Sequence, residues 1–558
     1  MTPLAYIPYF AGLGVAVWAI NLGVRRIAAL DGVRPPSWQL PVLLWFGLLS
    51  LATLFPRLST LSRVLLTLGM AVAVARWLRP RWTVAWPHLR RAALGSAAGL
   101  LVTGLGMYVV PEVRERRWLA THPPLPDAPN VLIIILDTVR AMSTSLHGAA
   151  RQTTPHLVAL AREGVVFDRA FSPAPWSHPS HSSLVTGRLP HELSASHLVP
   201  LDGAYPTLAE AFLGQGYATA AIVANLWYTS RHSGVLRGSL HIDDSEIGIS
   251  QILWQAQIQH TVFAGELGVA ISRESPLMTL VALLRLQWRT WARYPSYQRR
   301  WAPEVNEAFL GWVDGLGGRP FFAMLNYFDA HEPYEPPSGY RERYDSSGVV
   351  RKLDAYEGAI AYLDHHLGHL FDALRERGLL DRTIVVVSAD HGEEFGEHGL
   401  WSHSYSVYPQ VVHIPMLVRF PAAVPQGKRV DTPVQLCDVG RSVLELAGLP
   451  HQTFGRCGSL LPAIRGEAPG HDTGVVLEMM PESPEPGTAG PYTRALVEDS
   501  LYYIRWHDGR EELYHHRLDP LATNDIAGSP DGLRLLPSLR DRLQRQLRIP
   551  RPDTLTPP

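Results

Sequence analysis

The chain has 558 residues, 46% of them hydrophobic, with a formal net charge of −1; it is too long for one ordinary domain and lacks the basic field that would hold nucleic acid. Two cysteines, Cys437 and Cys457, are too few for a disulfide-built scaffold, and leave open one bridge or two separate core thiols. Lysine is confined to Lys352 and Lys428, so arginine carries almost all the positive charge.

Residues 1–117 read as a membrane region. Leu4–Val24 is uncharged and matches the ~20 apolar residues that cross a bilayer. Trp38–Phe55 is a second span and Ala92–Val110 another, whose small residues let helices pack closely. The weaker stretch between Arg63 and Arg76 brings the expected number to about four, with three as the alternative. One loop carries Arg25, Arg26 and Arg34, and another carries Arg76, Arg79, Arg81, Arg90 and Arg91. Positive-inside reasoning places both loops in the cytoplasm, and everything after Tyr108 on the outer side of a cell (inner) membrane. A cleavable signal peptide would need a basic n-region, which the N-terminus lacks. Residues 118–129, with Thr121–Pro129 (THPPLPDAP), form a Pro-rich linker that spaces the soluble part of the chain off the membrane.

From residue 130 onward strands and helices alternate, the signature of a parallel or mixed α/β sheet. The predicted strands are Asn130–Leu136, Val165–Phe171, Tyr217–Val223, Pro320–Tyr327, Thr383–Ala389 and His413–Phe420. The predicted helices are Pro155–Glu163, Thr207–Gln215, Val305–Leu316 and Ala355–Arg377. Asn130–Leu136 (NVLIIIL) and Thr383–Ala389 (TIVVVSA) are continuous apolar runs of the kind buried on both faces of a parallel sheet. The first stops at Asp137, and the second at Asp390-His391-Gly392. Ligands collect at the carboxyl ends of such strands, so these acidic and imidazole groups can meet around a cation. Taken singly, Asp137 reads first as a helix N-cap after a strand, and Asp390–Gly392 has a polar turn as its lesser alternative. Within an insert at 240–300, Leu277–Arg300 combines a leucine-rich face with Trp288, Trp291 and several arginines. It suits either the membrane interface or the core of a cap.

Five stretches together carry a family resemblance: Asn130–Arg140, Thr154–Ala170, Trp176–Gly187 (WSHPSHSSLVTG), Pro320–Pro337 and Ser388–Gly399 (SADHGEEFGEHG). In this order they resemble the sulfatase branch of the alkaline phosphatase superfamily, and Glu511–Asp519 (EELYHHRLD) resembles that family's C-terminal subdomain. The resemblance implies an alkaline-phosphatase-like fold: a mixed, mostly parallel sheet flanked by helices over residues 130–470, and a small C-terminal α+β subdomain over 471–558. With the N-terminal transmembrane helix bundle this completes the expected organisation.

The resemblance also assigns roles. Ser177 takes the nucleophile position, which sulfatases fill with a cysteine or serine oxidised to formylglycine. His181 stands where the pattern read by the modifying enzymes has arginine; an unmodified hydroxyl held on a metal is itself a nucleophile. Asp137, Ser177, Asp390 and His391 would surround one divalent ion, and one imidazole among oxygens suits Mn²⁺ or Zn²⁺ better than Ca²⁺. Thr138 replaces the family's second aspartate, and Ala224-Asn225 stand in place of its lysine. His331, in Asp329–Tyr334, matches the histidine on the ester oxyanion, and His403 the residue near the leaving group. His181, with His178 nearby, is the substitute for the missing arginine.

The expected activity is a membrane-anchored, metal-dependent ester hydrolase cleaving sulfuric or phosphoric esters of a lipid or glycan. A transferase moving a phosphorus-containing lipid head group is the second expectation, and an inactive membrane scaffold or sensor the third.

Overall fold

The computed structural model describes residues 112–123, 125, 127–196, 199–226, 228–244, 300–345, 351–467, 474–480 and 492–547, together with 70 and 72–74. The expected membrane spans and the Leu277–Arg300 segment lie outside the described residues, apart from residues 70, 72–74 and Arg300. Among the described residues no helix is long and apolar enough to cross a membrane. The chain divides into two compact units, Met1–Arg114 with Glu246–Pro295, and Glu115–Ser245 with Ser296–Pro558. Nearly all described residues belong to the second unit.

That unit is built on an eight-stranded sheet. Its strands are β1 (Asn130–Leu136), β2 (Val165–Phe167), β3 (Ala218–Val223), β4 (His241–Asp243), β5 (Phe321–Tyr327), β6 (Thr383–Ser388), β7 (Met416–Arg419) and β8 (Lys428–Val430). In space they run β8-β2-β7-β6-β1-β5-β3-β4. Only β7 lies antiparallel to its neighbours β2 and β6; every other pairing is parallel. The sheet is therefore mixed and mostly parallel, as the family resemblance implied. All residues of β1, β3, β5 and β6 are buried, which explains why they read as mostly apolar runs rather than alternating ones.

Two predicted strands divide between two sheets. Val165–Phe171 breaks after Phe167 and His413–Phe420 breaks at Pro415; their outer halves, Ala170–Phe171 and His413–Ile414, leave the main sheet and pair in a small one with Val434–Gln435. Proline brings no N–H to a ladder, so the sheet ends there.

The helices that matter for the site are α1 (Pro155–Ala161), α2 (Ser177–Thr186), α3 (Leu208–Gly214), α4 (Ala302–Asp314), α5 (Lys352–Glu376) and α6 (Asp438–Leu446). α3 opens on a reciprocal capping box, with Glu210 N–H donating to Thr207 Oγ1 at 3.2 Å and Thr207 N–H donating to Glu210 Oε2 at 2.8 Å. Cys437 and Cys457, next to the start of α6, are joined in a disulfide, which resolves the two readings left open by the sequence.

The C-terminal part is an antiparallel meander of β9 (Val475–Met479), β10 (Thr493–Val497), β11 (Leu501–Arg505) and β12 (Glu511–His515), followed by α7 (Pro530–Gln546). Alternation decides its two faces. Val475, Leu477, Ala495, Val497, Tyr502, Ile504 and Tyr514 pack with Phe171, Val407 and Val411. Val476, Leu496, Tyr503 and Leu513 pack with Leu536, Leu539 and Leu543 of α7 and with the disulfide.

Candidate active site

The register of the central strands builds the site. β1 and β6 lie side by side in parallel with Ile135 opposite Ser388, so the residues just past their ends, Asp137 and Asp390, emerge at the same level. One oxygen each of Asp137 and Asp390 and one nitrogen of His391 lie within 4.8 Å of one another, all buried. Thr138 knots the two strand ends together: its N–H donates to Asp390 Oδ1 at 3.1 Å, with a backbone φ of +62°. A β-branched residue in the left-handed region is strained, and here the strain sits where the second aspartate of the family pattern would be. Gly392 is forced by packing. A Cβ there would lie 2.4 Å from Gln410 O and 2.7 Å from Arg140 Cβ.

Ser177 is the first residue of α2, following Trp176 at the N-cap, where no side chain caps the helix. Pro179 sits in the first turn, where its missing N–H costs nothing. Ser177 Oγ lies 3.0 Å from His391 Nε2. His391 Nδ1 is 3.0 Å from Gly392 O, which can only accept; the ring proton therefore sits on Nδ1, and Nε2 presents a lone pair to the hydroxyl. Burial lowers the His391 pKa to about 4, so the ring is neutral around pH 7. α2 is pinned to the second strand end by Ser180, whose hydroxyl donates to Asp390 O at 2.7 Å.

Asp137 Oδ2 accepts from Asn225 Nδ2 at 2.8 Å and Asn326 Nδ2 at 3.3 Å, whereas Asp137 Oδ1 and Asp390 Oδ2 are buried without a hydrogen-bond partner. Burial and the neighbouring Asp390 charge push Asp137 well above the usual carboxylate range. Burial also opposes ionisation of Asp390, but His391, His181 and the Thr138 N–H outweigh it and hold Asp390 low. The pair thus shares a site where two full negative charges are unfavourable without a cation. A divalent ion fits this donor set: two unpartnered carboxylate oxygens and one imidazole lone pair converge in a buried space. Cys437, Asp438 and Cys457 also cluster, but the disulfide occupies both sulfurs.

The remaining predicted residues fall on two sides. His181 is fully buried, with Nδ1 2.8 Å from Ser177 O and 3.6 Å from Asp390 Oδ2. His403 and His391 have ring centres 4.4 Å apart, and His331 is 5.2 Å from His403, stacked on Phe328 at 4.2 Å. His178 is turned away, its ring nitrogens 2.8 Å from Ser196 O and 3.0 Å from Ser233 O. Sequence reasoning missed Glu393, whose fully buried carboxylate accepts from His403 Nδ1 at 2.9 Å and from Tyr334 Oη at 2.7 Å. It also treated Asn225 only as an absent lysine and passed over Asn326. The available signal was polarity out of place: Asn326 interrupts the apolar run of β5, and Glu393 directly follows Asp390-His391-Gly392.

Comparison with known proteins places the chain in a family. Residues 396–548 match the profile described as N-sulphoglucosamine sulphohydrolase, C-terminal. An ulvan-active sulfatase of Formosa agariphila is 24% identical over 445 residues, covering 76% of this chain and 81% of that protein. The fold is shared with the phosphonate monoester hydrolase of Agrobacterium radiobacter at a TM-score of 0.57 and 18% identity, over 75% of this chain and 96% of that one. It is shared equally with a protein solved with its substrate D-glucosamine-2-N,6-O-disulfate, at a TM-score of 0.56 and 16% identity, over 75% and 97%. Residues 129–449, more than half of the chain, match the sulfatase profile, and the chain belongs to the sulfatase family of ester hydrolases.

Proposed function

We propose that this chain is a membrane-anchored, metal-dependent hydrolase that cleaves sulfuric esters outside the cytoplasm, with Ser177 as nucleophile. The observation that carries the reading is the convergence of Asp137, Ser177, Asp390 and His391 at two neighbouring strand ends, with buried carboxylate oxygens that lack a partner. Asp137, Asp390 and His391 would hold a divalent ion beside Ser177 Oγ; bound there, it would lower the pKa of the hydroxyl and screen charge on the ester oxygens.

The chain's own groups account for the rest. Ser177 gives up its hydroxyl proton to solvent, and its Oγ forms a bond to sulfur as the bond from sulfur to the ester oxygen breaks. The leaving oxygen takes a proton from His403, whose Nδ1 is committed to Glu393, so that Nε2 is the nitrogen left to donate. His331 and the N-terminus of α2 oppose the negative charge that builds on the equatorial oxygens. Water then cleaves the sulfo-serine, with the same histidine acting in reverse.

The apolar spans before residue 117 support anchoring, and the disulfide Cys437–Cys457 supports an oxidising compartment. The substrate class is a sulfated glycan, in keeping with relatives that act on ulvan and on a sulfated glucosamine. Phosphoryl chemistry is the second reading. One imidazole among oxygens and the lack of the family's arginine and lysine favour it.

The test is an activity screen of sulfate esters and phosphate mono- and diesters on the purified full chain and on Ser177→Ala, with metal analysis of both. Sulfate release that needs a bound metal and is abolished by the substitution is the expected result. A metal-free protein whose activity survives Ser177→Ala overturns the reading. Mass spectrometry of the peptide containing Ser177 distinguishes a free hydroxyl from formylglycine.

A further inference from the structure

α5 carries a histidine group that the ester chemistry leaves unused: His365, His366 and His369, in the sequence His365-His366-Leu367-Gly368-His369. His365 and His369 are one helical turn apart, on the same face, with ring centres 4.4 Å apart. His366 lies 5.7 Å from His369 on the other flank. A fourth imidazole, His156 at the start of α1, approaches His365 to 6.1 Å.

The placement of His156 depends on Gly368. A Cβ at that position would lie 2.3 Å from His156 Nδ1, so the glycine leaves the space into which the ring packs. Asp364 fixes the same junction by accepting N–H bonds from His156 at 2.8 Å and Leu157 at 2.9 Å. The ring of His156 is thereby held over the turn of α5 that separates His365 from His369.

These imidazoles differ from those of the active site. His181, His331, His391 and His403 each have a ring nitrogen engaged with a carbonyl or carboxylate. Among the described residues, the ring nitrogens of His156, His365, His366 and His369 make no hydrogen bond or ion pair, and the rings pack near one another and near other aromatic rings. Their nitrogens are uncommitted. His369 is exposed, and with His366 it borders an open cleft of about 500 Å³ between α4 and α5, so solutes reach it freely.

We propose that His365 and His369 form a two-imidazole chelate for a borderline divalent ion of the zinc class, separate from the ester-cleaving site, with the His156 ring packed beside it. Histidines at i and i+4 on one helix face are a known geometry for zinc, and imidazole nitrogen selects ions of this class over magnesium or calcium. Two imidazoles bound at about 2.1 Å in adjacent coordination positions place their ring centres about 4.5–5 Å apart, close to the separation seen here.

The test uses the full chain, stripped of metal by a chelator and titrated with Zn²⁺ by calorimetry. Wild type is compared with His369→Ala and with the double variant His365→Ala/His369→Ala. The double variant is expected to lose one equivalent of Zn²⁺ while keeping the wild-type rate of ester hydrolysis, and His369→Ala to weaken that equivalent at least tenfold. An unchanged number of sites and unchanged affinities overturn the proposal. So does loss only of a site weaker than about 0.1 mM. If the double variant fails to fold, His369→Gln, at an exposed position, carries the comparison alone.

Discussion

Glu393→Gln separates leaving-group protonation from mere support of the fold. In the native site Glu393 accepts from His403 Nδ1 at 2.9 Å and from Tyr334 Oη at 2.7 Å. Glutamine keeps the volume, and its pair of polar atoms still satisfies both neighbours. Its oxygen accepts from His403, and its NH₂ donates to the Tyr334 hydroxyl, which turns to accept. What disappears is the carboxylate charge that faces the His403 ring. A hydrogen bond to a charged group contributes about 1.5–3 kcal/mol, which corresponds to roughly 10- to 150-fold in rate if the charge is felt in the transition state. The assay compares two esters of the same acid, one leaving as p-nitrophenol and one as a simple alcohol. Nitrophenolate departs without a proton, so kcat/KM for that ester should fall by less than about threefold, while the alkyl ester loses the full factor. Equal losses on both substrates would refute the role assigned to His403 and leave Glu393 as structural support.

Three other outcomes concern groups outside that dyad. The Cys437–Cys457 bridge has a sequence separation of 20, and closing a loop of that size contributes about 3 kcal/mol; Cys437→Ala/Cys457→Ala should lower the unfolding free energy by about that amount in urea titrations, and an unchanged midpoint would contradict it. His516, 4% exposed, packs on Phe171 and Tyr502, and burial followed by the His413 and Arg169 charges lowers its pKa to about 3. The native state binds this proton less tightly than the unfolded chain, so stability is lost as pH falls from the unfolded value near 6.5 towards 3: about 2 kcal/mol between pH 7 and pH 5. His516→Phe should remove that part of the pH dependence, and identical pH slopes for the two proteins would disprove it. Chelator treatment should lower the Tm through loss of a cation between Asp137 and Asp390, and Asp137→Asn should shrink that shift by relieving the carboxylate pair. A Tm that does not respond to chelator contradicts a cation at these carboxylates.

The legible parts of the molecule are those where one physical requirement dominates a stretch of chain. Strands buried on both faces must be apolar throughout, so β1, β5 and β6 show in the sequence almost to the residue. The partition of Val165–Phe171 and His413–Phe420 between two sheets depends on which neighbours each half finds, and only Pro415 marks it locally. The site divides in the same way. Asp137, Asp390 and His391 stand at ends of recognisable strands, and Ser177 stands in a recognisable motif. Their partners are set by tertiary approach: Asn225 and Asn326 reach Asp137 from β3's end and from β5, and Glu393 reaches His403 across a loop. Thr138 shows why substitution in a motif does not by itself remove a function. Where the family pattern supplies a second carboxylate, this chain supplies a backbone N–H aimed at Asp390, made possible by the residue's left-handed conformation. A hydrogen-bond donor holds one carboxylate ionised and in place, whereas a further carboxylate would add negative charge. The donor set is therefore leaner and less negative than the family pattern.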